Sequence, residues 1–438
     1  MPNKRNFKFY IFLFLKINLS FLISFSQSFT NSPYSRYGLG ELQYTAFASN
    51  IPMGGIYNAM RNDTTAPYFI NVGNPASHSS LKLTAFDFGL KSNFMKLQTS
   101  NNSYSSNQTA LAYVALAFPV TKWWGMSFGL LPYSAVGYRI HNEKNQDSIG
   151  TVKYSYQGDG GINQVYLGNG FKIKKFSVGV NISYLFGDLI FSSRDSFPKS
   201  SNIFNTKLSQ TTRINDLYYT IGTQYKIPIK KNWSLTLGAT GGWKSYLNAK
   251  RTTFAANYIN NFGVEVVKDT IINDSDVKDT IRIPIMFGGG FVLKKGEKWL
   301  IGIDYSFQNW KGINSSDQST LLKNSQQIAF GTQYIPNKTA GTKESYFKKI
   351  FYRAGFRYTS SFLDLQNTPL KEYVITLGVG FPLRKLKVGE TYSQSIINVG
   401  VELGQFGTTE NQLIKQQYVK AVVGFTLNDK WFIKRKYD

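Results

Sequence analysis

The chain contains no cysteine and only two histidines, His78 and His141, in 438 residues. The first absence excludes disulfides, thiolate nucleophiles and cysteine-based zinc sites, and leaves the redox compartment open. The second leaves a poor stock for histidine catalysis. Neither histidine falls on a candidate strand interior beside a serine and a carboxylate, so the positioned nucleophile and base of a barrel hydrolase are missing and no enzyme is expected. A calcium loop is lacking too: the acidic run IINDSDVKDT, with Asp274, Asp276 and Asp279, has neither the Gly nor the terminal Glu of an EF-hand and reads as a solvated surface loop. No metal and no cofactor are implied. Amphipathic helical patterns are absent as well.

The start of the chain is a basic MPNKRNFK followed by the apolar run FYIFLFLKINLSFLISFS, ending in the small-x-small pair Ser24-Phe25-Ser26. Residues 1–26 therefore read as a secretory signal peptide cleaved before Gln27. The competing reading is a single N-terminal membrane anchor, against which Lys16 and the cleavage-like end argue. Cleavage removes Lys4, Arg5, Lys8 and Lys16 and no acid from a chain of formal net charge +25. The mature protein stays strongly basic, but an exported protein is not expected to bind nucleic acid.

What the chain has in plenty is alternation. From residue 82 the period is two, with aromatic and β-branched residues on one face and small or polar residues on the other. In KFSVGVNISYLFG, Phe176, Val178, Val180, Ile182, Tyr184 and Phe186 share one face, opposite Ser177, Gly179, Asn181 and Ser183. NWSLTLGATGGW splits in the same way. Such runs give 14 candidate strands, near 82–97, 105–119, 122–137, 160–172, 175–192, 209–227, 232–247, 280–294, 298–309, 322–335, 348–360, 371–382, 393–405 and 415–427. An even number of strands of ten or more residues suits a closed transmembrane barrel, whose tilted strands need roughly 9–11 residues each, better than a soluble sandwich.

The connections alternate in character. Short ones, such as KIKK at 172–175 and IPIKKN at 227–232, are basic, whereas the stretches 138–159, 193–208 and 248–279 read as longer loops rich in Asn, Ser and Asp. Outer-membrane barrels keep short turns on the periplasmic side and long loops outside. A basic periplasmic rim follows, represented by Lys172, Lys174, Lys175, Lys230 and Lys231. Two readings of it stand: attraction to anionic outer-membrane lipids, or docking of an acidic periplasmic protein.

Ahead of the first strand lies GGIYNAMRNDTTAPYFINVGNPASHSSLKL, residues 54–83. It resembles the end of the N-terminal hatch of the FadL/TodX-like family of outer-membrane β-barrel transporters for hydrophobic compounds, with the hatch motif at Asn74, Pro75 and Ala76. The resemblance implies a 14-stranded antiparallel transmembrane β-barrel, all-β, with the N-terminal segment as a hatch inside the lumen. The expected organisation is residues 1–26 signal peptide, 27–81 hatch, 82–427 barrel and 428–438 basic periplasmic tail. A segment wound inside a polar lumen needs no strand alternation, but its backbone must find hydrogen-bond partners within the wall. Gly38 and Gly40, bracketing Leu39, suit tight turns there.

Pro132 falls in the third strand and lacks a ladder donor, so it implies a bulge, kink or missing pairing. In the family such a kink opens a lateral path, so the resemblance would place a lateral gate at Gly129 and Pro132; the other reading puts Pro132 above the membrane, in the loop-side extension of the strand. Asp87, Asp304, Arg353, Arg357 and Glu402 fall on lumen-facing positions, where charges of both signs must pair or meet water; they read as a lumen charge network. The last strand, with Val419, Ala421, Val423, Phe425 and Leu427 on one face, is what the barrel assembly machinery would be expected to read. The leading functional expectation is passive uptake of a hydrophobic small-molecule ligand, fatty-acid-like or aromatic, across the outer membrane. The alternative is an accessory, shuttle or plug barrel of a type IX secretion system, with a periplasmic or secretion-system protein as partner.

Overall fold

The computed structural model describes residues 30–431 apart from 63–65, 148, 199–202, 230–231, 244–245, 263, 312–320, 339–343 and 389–390. The expected signal peptide, Lys230 and Lys231, and most of the basic tail lie outside the described residues.

Fourteen antiparallel strands form one wall among the described residues. The first six are Thr84–Gln98, Ser103–Pro119, Trp124–Ala135 with its continuation Tyr138–Gln146, Gly150–Ile173, Phe176–Ser196 and Asn205–Pro228. The seventh runs Trp233–Trp243 then Tyr246–Asn261, and the eighth Val264–Arg282 then Ile285–Lys295. The ninth to fourteenth are Trp299–Asn309, Ser325–Tyr334, Phe351–Leu365, Thr368–Pro382, Ile396–Phe406 and Lys415–Asp429. The ring closes by pairing the first strand with the fourteenth, from Thr84↔Asp429 to Gln98↔Lys415.

Alternation decides which face looks out. Tyr184 is 45% exposed while its neighbour Ser183 is buried, and Leu237 is 43% exposed while Thr236 is buried. Apolar side chains outside and polar ones inside are the reverse of a soluble sandwich and fit a wall set in lipid. Aromatics pack across neighbouring strands on that outer face, as Phe88 does on Phe425 with ring centroids 4.9 Å apart.

The long-loop expectation for 138–159, 193–208 and 248–279 is corrected. These stretches are mostly strand. The ladder between the fourth and fifth strands continues from Ile173↔Phe176 up to Lys153↔Ser196, and Tyr246–Asn261 pairs with Val264–Arg282. Asp274, Asp276 and Asp279, read as a surface loop, lie in that last segment, where Asp279 pairs with Arg251. A sheet wetted on both faces has no reason to alternate in hydropathy, so its strands do not announce themselves in sequence. The fourth and sixth strands reach 24 residues each, more than twice the roughly 9–11 that a tilted membrane crossing takes.

The described residues of 30–83, the expected hatch, lie inside this wall. Among them are three 3-10 turns, Pro33–Arg36, Ile51–Met53 and Pro75–Ser80, and one two-residue strand, Glu41–Leu42. Gly38 and Gly40 take φ of 61° and 91°, the left-handed turns their positions suggested. Polar side chains pointing in from the wall supply the partners that an irregular backbone inside a barrel requires. Asp304 accepts from the backbone N–H of Tyr57 (2.6 Å) and Asn58 (2.8 Å), and Asn181 donates to the Val72 carbonyl at 2.8 Å. Gln224 donates to the carbonyls of Asn58 and Met60, both at 3.0 Å.

Between these studs the hatch backbone presses on glycine. Gly170, Gly179 and Gly222 stand side by side on the fourth to sixth strands, and Gly302, Gly331 and Gly355 on the ninth to eleventh. A Cβ at Gly179 would lie 2.4 Å from the Pro75 carbonyl carbon, and one at Gly355 only 2.2 Å from the Gly54 nitrogen. Register-matched glycines thus form a seat that takes hatch backbone at Gly170, Gly179, Gly331 and Gly355 and the Asn74 and Ile56 side chains at Gly222 and Gly302.

Candidate functional site

The motif residues sit on this seat. Asn74 is fully buried and caps the turn Pro75–Ser80, its Oδ1 accepting from the Ala76 N–H at 3.1 Å. Its Nδ2 donates to the carbonyls of Asn58 (2.5 Å) and of wall residue Thr223 (3.2 Å). Pro75 occupies the first helical position, where no N–H is needed. Ala76 is fully buried, and a Cβ at Gly179 would come within 2.6 Å of its nitrogen. His78, in the same turn, is buried beside Asn181, and burial lowers its pKa to about 4.

Gly129 and Pro132 mark a break in the wall. The second and third strands pair only from Pro119↔Gly125 to Val114↔Leu130. Gly129 lies inside this last stretch, opposite Ala115, where a Cβ would meet the Val114 carbonyl oxygen at 2.5 Å. Beyond it the second strand continues as Ser103–Tyr113 on its first-strand partner alone, while the third turns away. Pro132 opposes Asn163 of the fourth strand, with a bulge before Ser134. The edge the third strand withdraws from the second is taken by the hatch: Glu41 pairs with Ala135, Leu42 with Ser134, and Gln43 donates its N–H to the Tyr133 carbonyl at 2.9 Å. At the near end of the break, Tyr113 donates to Asp87 at 3.1 Å, accepts from the Ala48 N–H at 3.0 Å and stacks on Phe47 with centroids 3.7 Å apart.

Between the N-terminal segment and the wall lies a lumen cavity of about 220 Å³, lined by Ser32 to Thr45 and by wall residues that include Phe362, Phe406, Arg357 and Lys420. Of the five expected lumen charges only Arg357 and Glu402 line this cavity, and the five fall in local sets, so the expected five-residue network is corrected. Of the five, only Arg357 and Glu402 form an ion pair, at 3.0 Å and buried. Asp87 is held by Tyr113 and Thr426, Asp304 by the hatch backbone, and Arg353 by Gln333 (2.8 Å) and Asn398 (2.6 Å). Strand parity placed these residues in the lumen but could not tell which of them meet.

Sequence reasoning missed the residues that complete the cavity. Lys420 reaches Glu41 of the hatch at 3.4 Å, Lys91 reaches Gln43 at 3.4 Å, and Arg357 lies over the Tyr44 ring, 4.5 Å from its centroid. Desolvation in the lumen raises the Glu41 pKa, but Lys420, the Thr30 hydroxyl and Lys91 lower it further, for a net downward shift. Lys91 and Lys420 sit on lumen-facing positions of the first and fourteenth strands, a signal as strong as that for Arg357. On the rim, Lys172, Lys174 and Lys175 are exposed at the tight turn joining the fourth and fifth strands, where Lys174 takes φ of 55°.

No curated protein matches the chain. Among solved structures, a FadL homologue of Pseudomonas aeruginosa superposes with a TM-score of 0.57 at 10% identity, over 90% of this chain and 100% of that one. The toluene transporter TbuX of Ralstonia pickettii gives 0.58 at 12% identity, over 88% and 99%. The toluene transporter TodX of P. putida gives 0.57 at 15% identity, over 89% and 100%. The fold is that of FadL-like outer-membrane barrels. The family model of BamG matches residues 8–438, through hatch and wall alike, and the chain belongs to the BamG family.

Proposed function

We propose that the protein carries hydrophobic small molecules, fatty-acid-like or aromatic, from its outer face into the upper lumen and out sideways into the membrane. The observation that carries this reading is the break beyond Val114↔Leu130, where the third strand exchanges its neighbour in the wall for Glu41–Leu42 of the hatch. The same hatch stretch lines the lumen cavity, so it stands between a mixed apolar and charged chamber and the break in the wall. The seat of glycines and polar studs closes the straight route to the periplasm and leaves the side route to be gated by a short segment. That the structurally similar TbuX and TodX are toluene transporters supports the ligand class. The mechanism is entry from outside, transfer to the cavity, displacement of Glu41–Gln43 and diffusion into lipid.

Replacing Pro132 by Val tests it. Valine restores a backbone donor in a β-forming residue and lets the ladder extend, so uptake of a hydrophobic fluorescent probe should fall while the amount of heat-modifiable folded barrel stays constant. Unchanged uptake would refute the side route.

A second reading follows from the family name, which points to the barrel assembly machinery. In it the plugged lumen is structural and the barrel is an accessory subunit in outer-membrane protein assembly.

A further inference from the structure

Two short-side connections stand away from the wall. Between the tenth and eleventh strands, Tyr346–Lys349 forms a 3-10 turn; between the twelfth and thirteenth, Leu386–Val388 and Thr391–Ser393 pair as a separate two-stranded fin. The Tyr346 hydroxyl donates to the Pro382 carbonyl at 3.0 Å and ties the turn to the root of the fin. Apolar side chains project from both: Phe347 is 68% exposed, and Leu386 and Tyr392 are 59% exposed each. Arg384, Lys385 and Lys387 are exposed among them. Nearby Glu344 is engaged by Lys348 at 3.0 Å.

The fin is fixed at its base. Gln394 donates to the Leu383 carbonyl at 3.0 Å, the Ser393 hydroxyl donates to the Asn428 carbonyl, and the Asn428 N–H donates to Ser395 Oγ at 3.1 Å. The Asn428 side chain in turn grips the hatch, accepting from the Tyr68 N–H at 2.6 Å and donating to the Tyr68 carbonyl at 2.9 Å. Exposed apolar groups on an anchored scaffold, with exposed cations next to them in sequence, are what a docking surface needs: apolar area for affinity and charge for orientation.

We propose that this fin, with the adjoining Phe347 turn, is the docking site of an acidic periplasmic protein. Registers Leu386↔Ser393 and Lys387↔Tyr392 place Leu386 and Tyr392 on opposite faces of the fin. A planar lipid surface covers one such face, whereas a protein can clasp both. The base of the fin is tied through Asn428 to buried Tyr68 of the hatch, on the lumen side of the wall. The three cations call for carboxylates between apolar side chains on the partner. This inference does not depend on the transport reading.

The test places a photo-crosslinking benzoylphenylalanine at Phe347 and, separately, at Tyr392 in the full chain in its native membrane. It is repeated in an Arg384→Glu, Lys385→Glu, Lys387→Glu background, with folded barrel quantified by heat-modifiable mobility. The expected result is one discrete adduct with the same acidic protein from both positions, reduced roughly tenfold or more by the charge reversals and weakened by added salt. Adducts with lipid only, protein adducts indifferent to charge reversal, or no adduct from folded barrel would each overturn the proposal.

Discussion

The Arg357 guanidinium donates to the Glu402 carboxylate at 3.0 Å across the lumen face of the eleventh and thirteenth strands, with both side chains buried. Arg357 also lies over Tyr44 of the hatch, so the pair joins wall to plug. Removing one partner of a buried ion pair strands the other. Glu402→Gln or Arg357→Met alone should destabilise the barrel by about 3–5 kcal/mol, and the double variant by less than either single one. Unfolding followed by heat-modifiable mobility, read as a double-mutant cycle, checks this; additive losses would show that the two groups act separately.

Asn74 makes its bonds to the hatch backbone and to Thr223 at once, so Asn74→Ala leaves several buried polar groups without a partner. Each costs about 1–3 kcal/mol, and the loss should be local. Hydrogen exchange should rise in residues 70–80 while the wall strands keep their protection. An unchanged hatch would remove Asn74 from the seat.

Burial beside Asn181 lowers His78 to about 4 from 6.5. A released hatch therefore binds a proton more readily than a seated one between those values. The seated form is at full strength above pH 6.5 and weakens as pH falls through the window to about 4, by about 3 kcal/mol over its width. Protease protection of the hatch should decline across that range in the wild type and stay level in His78→Gln. Equal decline in both would assign the effect elsewhere.

The wall was legible because lipid imposes a rule on every strand: Tyr184 must be apolar and Ser183 need not be. The same rule does not operate above the membrane, which is why YRIHNEKNQ at 138–146 reads as loop and is strand. Pro132 announced an irregularity through its missing donor, but the length of the break is a property of register, and pairing between Ser103–Tyr113 and the third strand leaves no mark on either sequence when it is lost. The hatch was visible as a polar, irregular segment before the first strand. Its wall partners, Asn181, Gln224 and Asn428, are indistinguishable in sequence from other lumen-facing polar residues; only the fold sets Val72, Asn58 and Tyr68 against them. The glycines were more informative than they looked, since Gly179 and Gly222 are ordinary alternating residues until register sets them side by side.

In the proposed route, Glu41–Gln43 must leave the third strand before a hydrophobic compound can pass. Leu42 and Ser134 are directly paired across the two strands, and the chain has no other cysteine to confuse a crosslink. With Leu42→Cys and Ser134→Cys combined, probe uptake should be near the wild-type level under reducing conditions, lost when the pair is oxidised, and recovered on adding reductant, with folded barrel constant throughout. Uptake that continues at full rate through the oxidised, verified disulfide would rule out passage between the hatch and the third strand.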